Sequence, residues 1–112
     1  MPERIDSVLK ELVTLDSALA HVKRIAIVLL LVLEGPMSMG MLSKALGIPL
    51  NTLDTHLRKL EEGNIIVRRK FLTPVGPRTY VLLTKEGLDK INKLLSLIER
   101  LKVRISVSQE VS

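Results

Sequence analysis

Asn51, Thr52, Thr55, Arg58 and Lys59 bring together hydrogen-bonding groups suited to base edges and phosphates. At 3.6 residues per helical turn, Asn51, Thr55, Arg58 and Glu62 lie opposite an apolar stripe of Leu53, Leu57 and Leu60, with Thr52 and Lys59 flanking them. An asparagine can bond adenine through two hydrogen bonds, and an arginine can reach guanine or a phosphate. Thr52 and Thr55 can touch bases or phosphates, and Lys59 suits a phosphate. Asp54, close to this side, repels phosphate and reads as a helix-face residue. His56, at the edge of the stripe, reads as well for half-buried packing as for contact. A second basic group follows. In a strand, Arg68 and Lys70 share one face and Arg69 takes the other, so one face can meet a phosphate backbone. Arg78, beside a proline- and glycine-rich tip, suits the minor groove or its phosphates. Taken singly, all of these are ordinary residues of a solvated face, and a charged strand also protects a sheet edge from aggregation.

Other chemistries find less support. The chain has no cysteine, which excludes disulfides, thiolate metal sites and a cysteine redox switch. His21 and His56 are far apart and carry no ligand motif, so neither a metal nor a cofactor is expected. No nucleophile stands beside a base and no glycine loop suits a phosphate, so the chain does not read as an enzyme. The longest apolar run, Ile25 to Leu33, is far short of the roughly 20 residues that span a membrane. It also begins too late for a signal peptide, so a cytoplasmic protein without a membrane partner is expected.

The net charge is +5 over 112 residues, and it is uneven. Residues 38–83 hold seven basic and three acidic side chains, whereas residues 1–37 hold four and five. A polyanionic partner would want the charge there. Many Ile, Leu, Val, Lys and Arg with few amides would suit a thermophile.

The positioning elements follow from periodicity and punctuation. Ile5, Val8, Leu9 and Leu12 make one helical face, with Pro2 and Glu3 in its first turn. Asp16 or Ser17 caps a second helix over Ala18–Glu34, whose later part is apolar all round and so is expected to be buried on every side. Gly35-Pro36 stops it. Ser38 caps a short helix to Leu46 that should bury Met41, Leu42 and Ala45; Gly47 ends it. After Pro49, a further helix buries Leu50, Leu53, Leu57 and Leu60 up to Gly63, which makes a helix-turn-helix. Ile65–Phe71 and Thr79–Leu83 read as strands joined by a long, stiffened connection, Leu72–Arg78. Thr84 caps the last helix, along which Ile91, Leu94, Ile98, Leu101 and Ile105 step by three and four, with Leu95 widening the stripe. That spacing points to a homodimer interface, with packing on the first helix as its rival. The expected organisation is one domain over 1–112: an N-terminal helix (1–15), a helix-turn-helix and hairpin core (16–84), a dimerisation helix (85–105) and a frayed tail (106–112).

Leu53-x-x-His56-Leu57-Arg58-Lys59-Leu60-Glu61-x-Gly63, followed by a strand with a basic stretch, resembles the reading helix and first wing strand of ArsR-like regulators. Leu83-Thr84-x-x-Gly87 is similar to the segment after the wing in MarR- and PadR-like proteins. With Arg24-Ile25-Ala26-Ile27 the resemblance covers about residues 18–100. It implies a mainly α fold with a small β-hairpin wing (α+β), a winged helix-turn-helix, acting as a homodimer on double-stranded operator DNA. The cysteine motifs of the metal- and peroxide-sensing branches are missing, so any small-molecule effector is left open. The alternative is a winged-helix module that binds protein or RNA within a larger complex.

Overall fold

Three leucines set the architecture. Leu53, Leu57 and Leu60 are completely buried, and the helix that carries them cannot form without a surface to receive them. The computed structural model describes residues 4–111; Pro2 and Glu3, expected in the first helical turn, lie outside the described residues. In chain order the elements are α1 (Ile5–Val13), a single 3-10 turn (Ser17–Leu19), α2 (Val22–Glu34), β1 (Met37–Ser38), α3 (Met39–Leu46), α4 (Leu50–Glu62), β2 (Ile66–Thr73), β3 (Gly76–Leu83) and α5 (Lys85–Val111). The sheet is antiparallel in the order β1-β3-β2. The core joins Ile27, Val28, Leu31, Leu42, Ile48, Ile66, Val81, Ile91 and Leu94 around the three leucines. The fold is an α+β winged helix-turn-helix.

Local chemistry starts and stops each piece. Asp16 Oδ1 accepts from the Ala18 N–H at 2.8 Å, but it caps the 3-10 turn and not α2. The chain extends again at His21, whose Nδ1 accepts from the Lys23 N–H at 3.2 Å and caps α2. Ser38 Oγ accepts from the Met41 N–H at 3.2 Å to start α3, and Gly47 closes it with φ +65°. The Ser43 hydroxyl donates to the Ile48 carbonyl at 2.6 Å, which holds the turn between α3 and α4.

Several expectations are corrected by packing. α2 buries only Ile27, Val28 and Leu31; Val32 and Leu33 face outward, so this helix is not covered all round. Met41, Ala45 and Leu50 are exposed, because α3 meets the core through Leu42, flanked by Met39 and Leu46, and the first turn of α4 through Leu53. The hairpin connection is a tight Pro74–Val75 turn, with Thr73 opposite Gly76, and not a long loop. Gly76, at φ +108°, makes the reversal possible. Pro77 is tolerated in β3 because β1 pairs only with Val81 and Tyr80 and leaves this stretch an edge. α5 continues as helix to Val111, through most of the tail expected to fray from 106 onward.

Two glycines have opposite surroundings. A Cβ on Gly87 would lie 2.2 Å from the Ile65 carbonyl oxygen. There Thr84 Oγ1 donates to Ile65 O (3.0 Å) and accepts from the Gly87 N–H (2.8 Å), which docks the start of α5 on the wing's base. A Cβ on Gly40, in the first turn of α3, would meet nothing within 4 Å. Thermal and urea unfolding should therefore show Gly87→Ala destabilised by about 3 kcal/mol through a backbone clash. The same measurements should show Gly40→Ala stabilised by about 0.5 kcal/mol through lost unfolded-state entropy.

Candidate nucleic-acid interface

With its leucine stripe turned inward, α4 presents Asn51, Thr55, Arg58 and Lys59 to solvent, with Thr52 and Asp54 half-buried at the margin. The Asn51 side chain accepts from the Thr52 N–H at 2.9 Å, and the Thr55 hydroxyl donates to the Asn51 carbonyl at 3.2 Å. Arg58 Nη2 sits 2.5 Å from Asp54 Oδ2 across one helical turn. Lys59 pairs loosely with Glu62 at 3.7 Å.

Arg68 has a different place from the one its position in a basic run suggested. It reaches from β2 onto α4, where Nε and Nη2 donate to Glu61 Oε1 at 2.9 and 2.5 Å and Nη1 donates to Asp54 Oδ1 at 2.6 Å. Its side chain is 18% exposed. Two carboxylates occupy this guanidinium, so Arg68 is a structural tie and not a free phosphate ligand. The bonds to Glu61, then those to Asp54, raise its pKa further above the ordinary arginine value despite partial burial. Asp54 is lowered, first by the hydrogen bond from Arg68 and then by that from Arg58. Asp54 is thus a shared acceptor rather than a bystander on the helix face.

Lys70 shares a face with Arg68, as alternation requires, while Arg69 and Arg78 lie on the other. Arg69, Lys70 and Arg78 are exposed and pair with no carboxylate among the described residues. A cleft of about 320 Å³ separates the starts of α3 and α4 from the wing, lined by Ser38, Gly40, Leu50, Pro77, Arg78 and Thr79. Of the expected contact residues, Arg78 lines this cleft, and Leu50 at its other wall opens the helix that carries Asn51, Thr52, Thr55, Arg58 and Lys59.

Among the residues expected at a dimer interface, Ile91 and Leu94 are buried in the chain's own core and are not free for a partner. Their share of the three-four stripe is used up by the chain's own core, where α5 packs on α2. Leu95, Ile98 and Ile105 are exposed and Leu101 is half-buried, so these four remain on the outer part of α5.

Sequence reasoning missed two contacts. Lys90 Nζ donates to Asp16 Oδ2 at 2.6 Å and to the Gly63 carbonyl at 2.9 Å, which ties α5 to the end of α4. The hydrogen bond raises Lys90 and lowers Asp16. His21 and His56 also meet, with ring centroids 4.6 Å apart. His56 is held below the ordinary histidine value by burial first, then by the charges of His21, Arg24 and Lys23. Separations this long leave no periodic signal in the sequence.

A family model described as a helix-turn-helix domain matches residues 19–69. Comparison with curated proteins finds no significant match. Among solved structures, a transcriptional regulator homologue from Pyrococcus horikoshii OT3 is 24% identical with a TM-score of 0.81, covering 88% of this chain and 97% of that one. The transcriptional repressor BigR from Xylella fastidiosa is 28% identical with a TM-score of 0.62, covering 83% and 88%. A protein described as a MarR-family transcriptional regulator, from Enterococcus faecalis V583, is 28% identical with a TM-score of 0.62, covering 70% and 71%. The chain thus carries a winged helix-turn-helix fold similar to those of solved transcriptional regulators.

Replacing Arg68 leaves Asp54 and Glu61 without their shared donor. Arg68→Ala should cost about 1–3 kcal/mol in urea unfolding and should loosen the wing, read as faster amide exchange in β2 and β3. Acid should also destabilise the fold through His56. Its folded pKa lies below the unfolded 6.5, so the unfolded chain binds the proton first. The stability it supports is full above that value and is lost as pH falls below it. The thermal midpoint should drop between pH 7.5 and 5, and His56→Gln should flatten that part of the profile.

Proposed function

We propose that the protein is a sequence-specific, double-stranded DNA-binding transcriptional regulator that acts as a homodimer. In this reading α4 enters the major groove and the wing lies over the backbone or minor groove. One observation carries it: an exposed polar face on α4 stands beside a hairpin whose residues 66–83 include four basic side chains and no acidic one. Asn51, Thr52, Thr55 and Arg58 are the base-reading candidates, and Lys59, Lys70 and Arg78 the phosphate contacts. Arg68 holds the wing in place and does not itself touch DNA.

The second copy would dock on the outer face of α5 through Leu95, Ile98, Leu101 and Ile105, joined by exposed Ile5 and Leu9 of α1. Apolar surface of this extent along a helix favours burial against a partner. Two copies would set two reading helices about one turn of duplex apart, matching an inverted repeat. The relatives described as transcriptional regulators, one of them as a repressor, support the same role. Among the described residues no helix is long and apolar enough to cross a membrane, and no group of three or more metal-ligating side chains occurs. The reading invokes neither membrane nor cofactor and sets the protein in the cytoplasm with its DNA.

Selection from a random duplex pool across a salt series tests this. An enriched inverted repeat with a steep salt slope is expected; no binding even at low salt overturns the reading and favours a protein- or RNA-interaction module. On the selected site, Arg58→Ala should cost about 1–3 kcal/mol and relax discrimination at one base pair. Arg78→Ala should weaken all duplexes alike and reduce the salt slope by about 1. Fluorescence anisotropy against matched and mutated sites measures both.

A further inference from the structure

The wing ends in apolar side chains that none of the other described residues covers. Leu72 is 87% exposed and Val75 is 74% exposed, with Pro74 and Pro77 beside them also facing solvent. β1 reaches only Val81 and Tyr80, so the hairpin beyond that point has no third strand. We propose that this tip is an apolar wedge for duplex DNA, which enters the minor groove and opens the stacking of one base step. The proposal rests on the duplex-binding reading and adds a mode of contact to it.

Three features favour this occupant. The first is orientation. Arg68, Lys70 and Leu72 alternate onto one face of β2, with Val81, Thr79 and Pro77 opposite them. Arg68 at the base of that face binds Asp54 and Glu61 of α4, so Leu72 extends the side of the wing turned toward the reading helix. The second is charge. Lys70, Arg69 and Arg78 flank the tip and the hairpin holds no acidic side chain, which suits phosphates on either side of a groove and disfavours a basic partner. The third is stiffness. The turn is closed by Thr73 Oγ1 donating to the Gly76 carbonyl at 2.5 Å and is bracketed by Pro74 and Pro77, so little chain entropy is lost on insertion.

Leucine and proline are side-chain types that unstack base steps from the minor groove. Such a wedge has nothing to hydrogen-bond, so it reads deformability. It favours pyrimidine–purine steps such as TA or CA/TG, which open most easily. The preferred step should lie outside the base pairs contacted by α4, at the flank met by the wing.

The test uses the full chain and the highest-affinity duplex from the selection, with 2-aminopurine scanned through its flanks. Binding of the wild type should raise emission at one flanking step per half-site. The double variant Leu72→Ser with Val75→Ser, changed only at exposed positions, should keep its thermal midpoint and lose that rise. It should bind about tenfold more weakly with an unchanged salt slope, because Lys70 and Arg78 remain. Arg78→Ala should show the converse, a smaller salt slope with the emission rise kept. Wild-type binding with no rise at any scanned step overturns the wedge and leaves the duplex-binding reading intact, as does a double variant that matches the wild type in both affinity and emission. Failure of the wild type to bind any duplex overturns both, and would leave the tip as a protein-docking surface.

Discussion

A two-stranded hairpin has little stability of its own, so a wing keeps a fixed angle only if something holds it to the rest of the domain. Here one partly buried guanidinium does so. Arg68 donates to Glu61 and Asp54, which lie two turns apart on α4. Desolvation offsets much of the Coulomb gain of a half-buried ion pair. Its consequence is directional: a planar donor with two carboxylate partners permits one orientation of β2 against α4. Asp54 also accepts from Arg58, so the arrangement of a candidate reading arginine is linked to that of the wing.

Around this tie the helices are set by close approach. Gly63 passes the 3-10 turn where a Cβ would lie 2.9 Å from Ala18 Cβ, and its carbonyl accepts from Lys90. Gly87 and Thr84 dock the start of α5 on the Ile65 carbonyl. The end of α4 is therefore held by α5 at the same time as its face is held by the wing. Movement of α5 would be felt at the end of α4 through Lys90 and the Gly63 carbonyl.

α5 has two environments along its length. Ile91, Leu94 and Leu97 are buried, while Leu95, Ile98, Val103, Ile105 and Val107 are open. A 27-residue helix is about 40 Å long at 1.5 Å per residue, and the chain spans 59 × 24 × 21 Å. The helix outruns the core that its first half completes. A continuous stripe of three-four steps thus serves two surfaces, which is why periodicity by itself could not separate core positions from outward ones.

Local chemistry is what the sequence by itself determined. Ser38, Gly47, Pro49 and Gly63 marked the bounds of α3 and α4 because caps and breakers act within a turn of backbone. The stripe Leu53, Leu57 and Leu60 named the buried face of α4, and with it the polar face opposite, because helical geometry fixes both. Only the tertiary structure decided which charges are free. Arg68, Arg69 and Lys70 look equivalent in a row, but Glu61 and Asp54 from another element claim the first and leave the others open. It also decided that Ile91 and Leu94 turn inward and that His21 meets His56. Contacts between residues far apart in the chain depend on how whole elements cross, and no local spacing encodes that crossing.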